Sequence, residues 1–261
     1  MQAVVSLNLL IPSMTFVIPA YNEEGRIGGV LDEVTNFILN NSAKCNVIVS
    51  IDGNDGTEEI VREYSKRHNF VSYISNEERG GKGAAIKRVV NQSTGEFTMI
   101  MDADGSVKFS SILKNIDLTK EYDLMLFDRY SGSGNRIPLR RRIPSRGFNV
   151  LVRVILGVKV NDTQCGYKII RTDLLKSAFK SVAVTNTFFD VALLYYLKRM
   201  GARIKEVEVE YTHDDQSKFN VVSEIIGQGI SLIAFRIRHS RFYKHVPEWA
   251  ANLYTRKFRW I

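Results

Sequence analysis

The feature that most constrains the fold of this chain is a short apolar run that leads into two closely spaced carboxylates. Residues 97–101 are rich in strand formers and have the length of a buried strand. Asp102, Asp104 and Gly105 follow this run. Alternate residues of an extended segment point the same way, so both carboxylates would project from the strand's carboxyl end, where open α/β sheets bind ligands. Hard oxygen ligands there are typical of a Mg²⁺ or Mn²⁺ site shared with substrate phosphates, and the alternative is an Asx turn.

The composition indicates a globular protein with a phosphate-bearing partner. The chain has 261 residues, 44% of them hydrophobic and 25% charged, which suffices for a large core. A net charge of +8 favours nucleic acid, a nucleotide or an anionic membrane surface as partner. Cys45 and Cys165 make neither a disulfide framework nor a zinc site, and they fit a reducing compartment. The apolar stretches 3–11 and 221–235 are too short to cross a bilayer.

Strands and helices alternate along the first half of the chain. Asn22 is a good helix N-cap, and apolar residues from Ile27 to Ile38 then recur at helical spacing. This alternation predicts a mostly parallel sheet with helices on both faces. Strands are predicted at residues 15–20, 46–51, 70–75, 97–101 and 123–127.

The second half has a different character. A strand is predicted at 203–211, and residues 161–168 form a polar, irregular loop. Helices are predicted at residues 143–156, 173–179, 188–200 and 221–237.

Acidic residues recur where the predicted strands end. Glu23 follows the first strand, Asp52 ends the second, and Asp102 and Asp104 follow the fourth. A nucleotide lying across this edge would meet Asp52 with its base or ribose, and a metal at Asp104 would hold its diphosphate. For Asp52 alone, the alternative is a turn residue in an Asp-Gly pair.

The glycine-rich segment at residues 80–83 does not fit the common phosphate-loop motifs. Asn76 stands where a Walker-type loop needs its first glycine, and Ile86 stands where a dinucleotide fingerprint needs its last. These departures exclude both a P-loop ATPase and a nicotinamide enzyme. Lys82 is either a ligand of a donor phosphate or a solvated lysine at a helix start.

An arginine-rich segment covers residues 129–153. It holds seven arginines and neither a lysine nor an acid. Arginine binds phosphate through two parallel hydrogen bonds, which lysine cannot do. The acidic edge would repel a polyanion, and no nucleic-acid-binding motif is present, so a single phosphate or diphosphate is the better partner than nucleic acid.

Several spaced motifs carry a family resemblance. PAYNE at 19–23, Asp-Gly at 52–53, GKGAA at 81–85 and DADG at 102–105 together resemble the inverting family-2 glycosyltransferases. RGFN at 146–149, DTQCGYK at 162–168 and FFD at 188–190 look like the dolichyl-phosphate glucosyltransferase branch, and are similar also to dolichyl-phosphate mannose synthases. The resemblance covers roughly residues 15–240.

The resemblance implies an α/β fold of the glycosyltransferase A type and a role for individual residues. Asp102 and Asp104 would bind the divalent metal, Mg²⁺ or Mn²⁺. Asp190 would be either a base or a residue that orients its neighbours. The residues implied in donor binding are Pro19, Tyr21, Glu23, Asp52, Lys82 and Asp102. Those implied in binding the acceptor phosphate are Arg129, Arg136, Arg140 and Arg141. The implied catalytic set is Asp104, Arg129, Gln164 and Asp190.

Two departures from the family pattern affect specificity. A single acid, Asp52, stands where paired acids are usual, which leaves the nucleobase open. Asp128 replaces the serine of a usual Gly-Ser-Arg, which affects the acceptor pocket. The chemistry itself needs no strong base, because a lipid monophosphate is largely ionised at pH 7. The metal would stabilise the leaving diphosphate, the arginines would align the phosphates, and in-line displacement would invert the anomeric carbon.

These inferences predict residues 14–218 as a nucleotide-sugar-binding domain and residues 219–261 as an amphipathic helix with a basic, aromatic tail. We expect transfer of a hexose from a UDP- or GDP-sugar to polyprenyl (dolichyl) phosphate by a protein peripheral on the cytoplasmic face of an anionic membrane. An integral-membrane protein or a second copy is a further expected partner. The alternatives are another acceptor, or a catalytically idle module that docks an anionic surface. The apolar stripe of the last helix would contact either the membrane or the domain's own core.

Overall fold

The computed structural model describes residues 11–132, 134–135, 137–212 and 221–240, and these build one seven-stranded sheet covered by helices. The strands are β1 Met14–Tyr21, β2 Cys45–Asp52, β3 Val71–Asn76, β4 Phe97–Ile100, β5 Leu124–Asp128, β6 Lys168–Arg171 and β7 Ile204–Glu208. The α-helices are α1 Ile27–Asn40, α2 Thr57–Arg67, α3 Lys82–Val89, α4 Phe109–Leu113, α5 Leu139–Leu156, α6 Thr172–Phe179, α7 Phe189–Arg199 and α8 Val221–Arg238. Short 3₁₀ turns occupy Val90–Gln92 and Ile116–Lys120.

The sheet has the strand order β3-β2-β1-β4-β6-β5-β7. Only β6 runs against its neighbours, so the predicted mostly parallel sheet is confirmed. The order reverses direction at β1, beside β4, and such switch points are where open α/β sheets bind ligands. β6 could not be predicted from the sequence, because its four residues follow the polar loop directly and carry no periodicity of their own.

Two hydrophobic cores cover the two faces of the sheet. Alternation along β1 sends Phe16 and Ile18 into the first core and Val17 into the second. Rings from β1, α1 and α4 meet in the first core, where the Phe37 and Phe109 centroids lie 5.4 Å apart. The second core holds α3, α5, α6 and α7, and it includes Phe235 of α8. The two-sided covering fixes the register of the strands, since a one-residue slip would exchange the two faces.

Three local predictions are wrong. Asn22 is no N-cap: its φ of 53° is left-handed, and α1 begins five residues later, at Ile27. α5 begins at Leu139, directly after Pro138, rather than at residue 143. Pro144 therefore lies inside the helix instead of at its start. β7 ends at Glu208, three residues before the predicted strand end at 211. Among the described residues, no helix is both long and apolar enough to cross a membrane.

Candidate functional site

The carboxyl ends of β1, β2 and β4 bring the predicted acidic residues to one edge of the sheet. Tyr21 pairs with Asp52 in the β1–β2 register, so the chain after β1 lies next to the end of β2. β4 ends at Ile100, and Asp102 and Asp104 follow in the turn beyond it. The backbone N–H of Ser106 donates to Asp104 Oδ1 at 2.9 Å, so the Asx turn is present as well.

Asp102 is held in place from three directions. Lys82 Nζ lies 2.7 Å from its Oδ1, and the Tyr167 hydroxyl donates to its backbone carbonyl at 3.1 Å. The backbone of Gly166 lies against the carboxylate, so that a Cβ on this glycine would be 1.7 Å from Oδ2. Burial disfavours ionisation of Asp102, but the charge and hydrogen bond of Lys82 outweigh burial and lower the pKa of the carboxyl.

The negative charges of Asp104 and Glu23 are less balanced by nearby positive charge than the charge of Asp102 is. The pKa of Asp104 is raised, first by burial and then by the negative charge of Asp102. The pKa of Glu23 is raised by burial, and the charges of Asp104 and Asp102 add to the effect against the opposing pull of Arg26. This edge is therefore short of positive charge close to Asp104.

The donor set fits a divalent cation that is shared with a substrate. Mg²⁺ and Mn²⁺ prefer oxygen ligands, and Mg²⁺ is commonly bound through one or two carboxylates plus substrate phosphates. Among the described residues, no three Asp, Glu, His or Cys side chains converge on one point as a complete protein cage. Asp104 is the better placed ligand, since Asp102 is already paired with the positive charge of Lys82, whereas the partner of Asp104 Oδ1 is the neutral backbone N–H of Ser106.

Asp52 is buried and contacts other groups of the chain. Its Oδ2 accepts a 2.8 Å hydrogen bond from the backbone N–H of Gly80, and its Oδ1 lies 2.9 Å from Arg88 Nη2. Arg88 also donates to Ser50 Oγ at 3.1 Å. Asp52 thus ties β2 to the glycine-rich segment and to α3, and any base or ribose contact would be made beside Arg88.

The PAYNE segment lies beside the acidic residues. Pro19 pairs with Ser50 of β2 and lies beyond Val17, the last β1 residue that pairs with β4. The side chain of Tyr21 is 42% exposed, and the guanidinium of Arg79 lies 4.4 Å from its ring centroid. Tyr21 and Arg79 therefore present an open ring and a cation at the entrance to the predicted donor site.

Asp190 lies behind Lys82 rather than in the open site. Lys168 Nζ lies 2.7 Å from Asp190 Oδ1, and Lys82 Nζ lies 3.6 Å from Asp190 Oδ2. Asp190 is 5% exposed and stands in the first turn of α7. Lys82 itself contacts Asp102 and Asp190, so it is not the solvated lysine of the alternative interpretation.

Arg129 directly follows β5 and is held by an ion pair with Asp162. It forms two parallel bonds with Asp162, from Nε to Oδ2 at 2.7 Å and from Nη2 to Oδ1 at 3.0 Å. The charge of Arg129 is a smaller cause of the lowered pKa of Asp102, after those of Lys82 and Lys168. Tyr211 lies between Arg129 and the turn that holds Asp104: the Arg129 guanidinium is 5.6 Å from its ring, and Tyr211 forms a β-bridge with Val107. Burial raises the pKa of Tyr211, the charges of Arg129 and Arg141 oppose this rise, and the charge of Asp104 adds to it.

The remaining predicted arginines lie at the start of α5 or outside the described residues. Arg140 is exposed and Arg141 is half-buried near Tyr211. Arg136 lies outside the described residues. Arg129 therefore lies beside the acidic edge, whereas Arg140 faces solvent.

Gln164 lies in the DTQCGYK loop, which neighbouring helices hold in place. Its Nε2 donates to Gln228 Oε1 of α8 at 2.5 Å. The side-chain oxygen of Asn149 in α5 accepts the backbone N–H of Thr163 at 3.1 Å. The RGFN motif thus supports the loop from inside the protein rather than facing a ligand through Asn149.

The residues at this edge that were not among the predicted site residues include four that contact a predicted site residue. Their role depends on pairing over long chain separations, which no local pattern reveals. The sequence signal for three of them, Asp162, Gly166 and Lys168, is that they belong to the DTQCGYK motif. They are Arg88, Asp162, Gly166 and Lys168.

Comparisons with known proteins agree with this architecture. Residues 15–179 match the protein family described as Glycosyl transferase family 2. Dolichyl-phosphate beta-glucosyltransferase ALG5A of Trichomonas vaginalis is 31% identical over 240 residues, which are 87% of this chain and 73% of that protein. The dolichyl-phosphate beta-glucosyltransferase of Homo sapiens is 28% identical over 87% of this chain and 75% of that protein.

A solved structure supports the fold alone. Glucosyl-3-phosphoglycerate synthase from Mycobacterium tuberculosis, in complex with Mn²⁺, uridine diphosphate and phosphoglyceric acid, superposes with a TM-score of 0.60. The superposition covers 87% of this chain and 78% of that one, with 17% sequence identity. The predicted glycosyltransferase A fold is therefore confirmed.

Proposed function

The chain belongs to glycosyl transferase family 2, and from this premise we propose that it transfers glucose from a nucleotide-sugar donor to dolichyl phosphate. The activity for which the relatives are named supports both the hexose and the acceptor. The observation that carries the proposal is the arrangement at one edge of the sheet, where Asp102 and Asp104 follow β4 and Arg129 lies nearby. The guanidinium of Arg129 is 5.6 Å from the ring of Tyr211, and Tyr211 forms a β-bridge with Val107, three residues after Asp104. A site with acids for a metal-bound diphosphate and arginines for a second phosphate suits a reaction between two phosphate-bearing substrates.

Asp104, together with Asp102, would hold the divalent cation. When bound, such a cation stabilises the negative charge that develops on the departing nucleoside diphosphate. Uridine diphosphate is the favoured donor nucleotide in this proposal, because the fold neighbour was crystallised with it, and guanosine diphosphate is the alternative. Asp52, fixed by Arg88 and Gly80, and the exposed ring of Tyr21 would form the base and ribose side of the donor site.

The acceptor phosphate would be the nucleophile. It is largely ionised near pH 7, so the protein does not have to remove a proton from it. Arg129 and the arginines at the start of α5 would align this phosphate and screen its repulsion from the donor. A single in-line attack would invert the anomeric carbon. Asp190 would not act as the base, because it is buried and contacts two lysines.

We propose further that an exposed apolar face holds the protein on an anionic membrane. On α8, residues that are 37–58% exposed recur at helical spacing, so this stripe does not pack on the core; they are Ile226, Ile230, Ile233 and Ile237. The outer face of α5, which packs on α8, is also apolar and 50–76% exposed at Leu139, Ile143, Val150, Leu151 and Val154. Exposed arginines border both helices. Apolar faces with basic borders are typical of helices that lie in the headgroup region.

In this proposal the boundary between the catalytic domain and the C-terminal extension lies between residues 218 and 219, and the protein binds the cytoplasmic face of the membrane. The inner side of α8 packs into the second core through Leu232 and Phe235, so this helix would join the catalytic domain to the membrane surface. The basic, aromatic tail predicted at the C-terminus lies outside the described residues beyond Ser240. A separate membrane protein or a second copy of the chain remains a further proposed partner.

A donor screen tests the reaction. Radiolabelled UDP-glucose, UDP-galactose and GDP-mannose are each incubated with Mn²⁺ and dolichyl phosphate, and the lipid-linked product is analysed for its anomeric configuration. We expect one strongly preferred donor, an inverted β-linked product, and loss of transfer with EDTA or in Asp104→Ala. Hydrolysis of the donor without lipid product, or transfer only to a soluble phosphate, would contradict the proposed acceptor. Absence of turnover and of nucleotide binding would favour the idle module instead.

A further inference from the structure

A completely buried lysine lies behind the candidate site. Lys168, the first residue of β6, has a side chain that is 0% exposed, and its Nζ contacts Asp190 Oδ1 and the carbonyl oxygen of Cys165. Lysine is almost never fully buried unless it is paired. A buried ion pair often stabilises a fold no more than apolar residues of similar volume would. Fold stability alone therefore gives little reason for a lysine at this position.

Lys168 is one end of a chain of four alternating charges. Lys82 Nζ has two possible carboxylate partners, and it lies 2.7 Å from Asp102 Oδ1 but 3.6 Å from Asp190 Oδ2. Lys168 Nζ is 2.7 Å from the other oxygen of Asp190. Lys168 thus supplies the charge that Asp190 would otherwise take from Lys82.

We infer that Lys168 is a positioning residue, which neutralises Asp190 and thereby keeps Lys82 paired with Asp102. Without Lys168, Asp190 would draw Lys82 towards itself. Asp102 would then lose its counter-charge close to Asp104 and Glu23, whose pKa values already respond to the charge of Asp102. The importance of this arrangement for catalysis rests on the proposed function, because the excess negative charge would stand where the donor diphosphate is proposed to bind.

A crystal structure of the full-length Lys168→Met variant without nucleotide tests the positioning itself. Methionine approximates the length of the lysine and carries no charge. We expect Lys82 Nζ to lie at hydrogen-bond distance, about 3 Å, from Asp190 and to leave Asp102. If Lys82 stays on Asp102, the inference is overturned. This result does not depend on which reaction the protein catalyses.

Calorimetry with UDP and Mn²⁺ tests the consequence. We expect Lys168→Met to weaken UDP binding by about tenfold, which lies within the usual coupling between contacting charges. The double variant Lys168→Met/Asp190→Asn removes the competing carboxylate, so it should recover most of the affinity and keep Lys82 on Asp102. A double variant that binds UDP no better than Lys168→Met does would overturn the inference, because a purely structural role predicts no such rescue.

If Lys168→Met does not fold, the double variant still tests the inference, since it removes both charges of the buried pair and leaves neither unpaired. In the double variant the Lys82–Asp102 distance should match that of the wild type and most of the UDP affinity should be kept, and loss of either overturns the inference. Asp123→Asn is the matched control: it breaks an ion pair with Arg203 at the opposite edge of the sheet and should leave UDP binding unchanged. If the wild type binds neither UDP nor GDP, the proposed function fails, while the crystal structures still decide the role of Lys168.

Discussion

Arg129 and Asp162 bind each other through two parallel hydrogen bonds although 33 residues separate them in the chain. The Asp162 side chain is only 1% exposed, and its Oδ2 also accepts the backbone N–H of Arg129 at 3.3 Å. The pair joins the end of β5 to the DTQCGYK loop. It therefore has a structural role beside the proposed contact of Arg129 with the acceptor phosphate.

Removing Arg129 should consequently lower the stability of the fold, in addition to any loss of binding of the acceptor phosphate. Arg129→Ala leaves the Asp162 carboxylate buried and unpaired, and breaking a buried ion pair in this way costs about 3–5 kcal/mol. We expect a lower free energy of unfolding, measured by urea denaturation followed by circular dichroism. A variant as stable as the wild type would mean that the pair does not hold the loop.

Arg140→Ala is the matched substitution at an exposed arginine of the same segment. Its stability should stay within about 0.5 kcal/mol of the wild type, as is usual for surface changes. Initial rates should give a raised apparent KM for dolichyl phosphate, and calorimetry should give an unchanged affinity for UDP. Equal losses for both substrates would assign the arginine-rich segment to the donor instead.

Gly166 offers a steric test of the position of Asp102. A Cβ at this residue would lie 1.7 Å from Asp102 Oδ2, so Gly166→Ala must displace the carboxylate or the loop. A displacement of about 1 Å in an active site can cost about 100-fold in rate, and we expect a loss of that order in kcat/KM. Gly29→Ala in α1 is the control, because no atom lies within 4 Å of its Cβ position. Equal activity of the two variants would remove Asp102 from the site.

The strand ends could be predicted from sequence because they depend on local patterns. The apolar run before Asp102 and the alternation of β1 follow from neighbouring residues alone, and the acids were correctly placed at one edge. The ion pairs that fix those acids could not be predicted. Lys168 and Asp190 are 22 residues apart, and only the antiparallel insertion of β6 brings the lysine to the end of β4.

Which side of α8 faces the core could not be predicted from the sequence, for a different physical reason. Apolar residues occupy both sides of this helix, so periodicity alone does not tell which side is buried. The fold buries Leu232 and Phe235 against the second core and leaves Ile226 and Ile233 exposed, at 58% and 57%. The contact with α5 decides between the two sides, and it depends on the packing of helices that are far apart in the sequence.

The ion pair between Asp123 and Arg203 predicts a dependence of stability on pH. Hydrogen bonds from Arg203, outweighing burial, lower the pKa of Asp123 to about 2, whereas an unfolded aspartate titrates near 3.9. The folded state therefore binds the proton less well than the unfolded state does. The stabilisation from this group is complete above about pH 5 and is lost as the pH falls through about 2.

Asp123→Asn provides the measurement. Urea denaturation at a series of pH values should give a variant that is less stable than the wild type near neutral pH. The difference in the free energy of unfolding should shrink steadily as the pH falls from about 5 to about 2. A difference that stays constant over this range would contradict the low pKa of Asp123.

The exposed face of α5 and α8 predicts membrane binding that depends on both apolar contact and charge. Ile143→Glu in α5 and Ile233→Glu in α8 place a carboxylate at positions that are 67% and 57% exposed, so the fold should tolerate them. Burying such an isoleucine in the headgroup region is worth about 1.5–3 kcal/mol, and we expect each variant to bind phosphatidylserine-containing vesicles at least about tenfold more weakly. Binding of the wild type should fall with added salt and on neutral phosphatidylcholine vesicles, because each basic residue near an anionic surface contributes about 1 kcal/mol.

Co-sedimentation with vesicles measures this binding, and Leu39→Glu is its control. Leu39 is 54% exposed, but it lies on α1, on the opposite face of the sheet from α5 and α8, so its substitution should leave vesicle binding unchanged. Truncation after Arg238 separates the contribution of the predicted tail from that of the two helices. If the truncated protein binds as the wild type does, the tail is not the anchor. If all three glutamate variants bind equally well, the face formed by α5 and α8 is not the docking surface, and the attraction comes from charge alone.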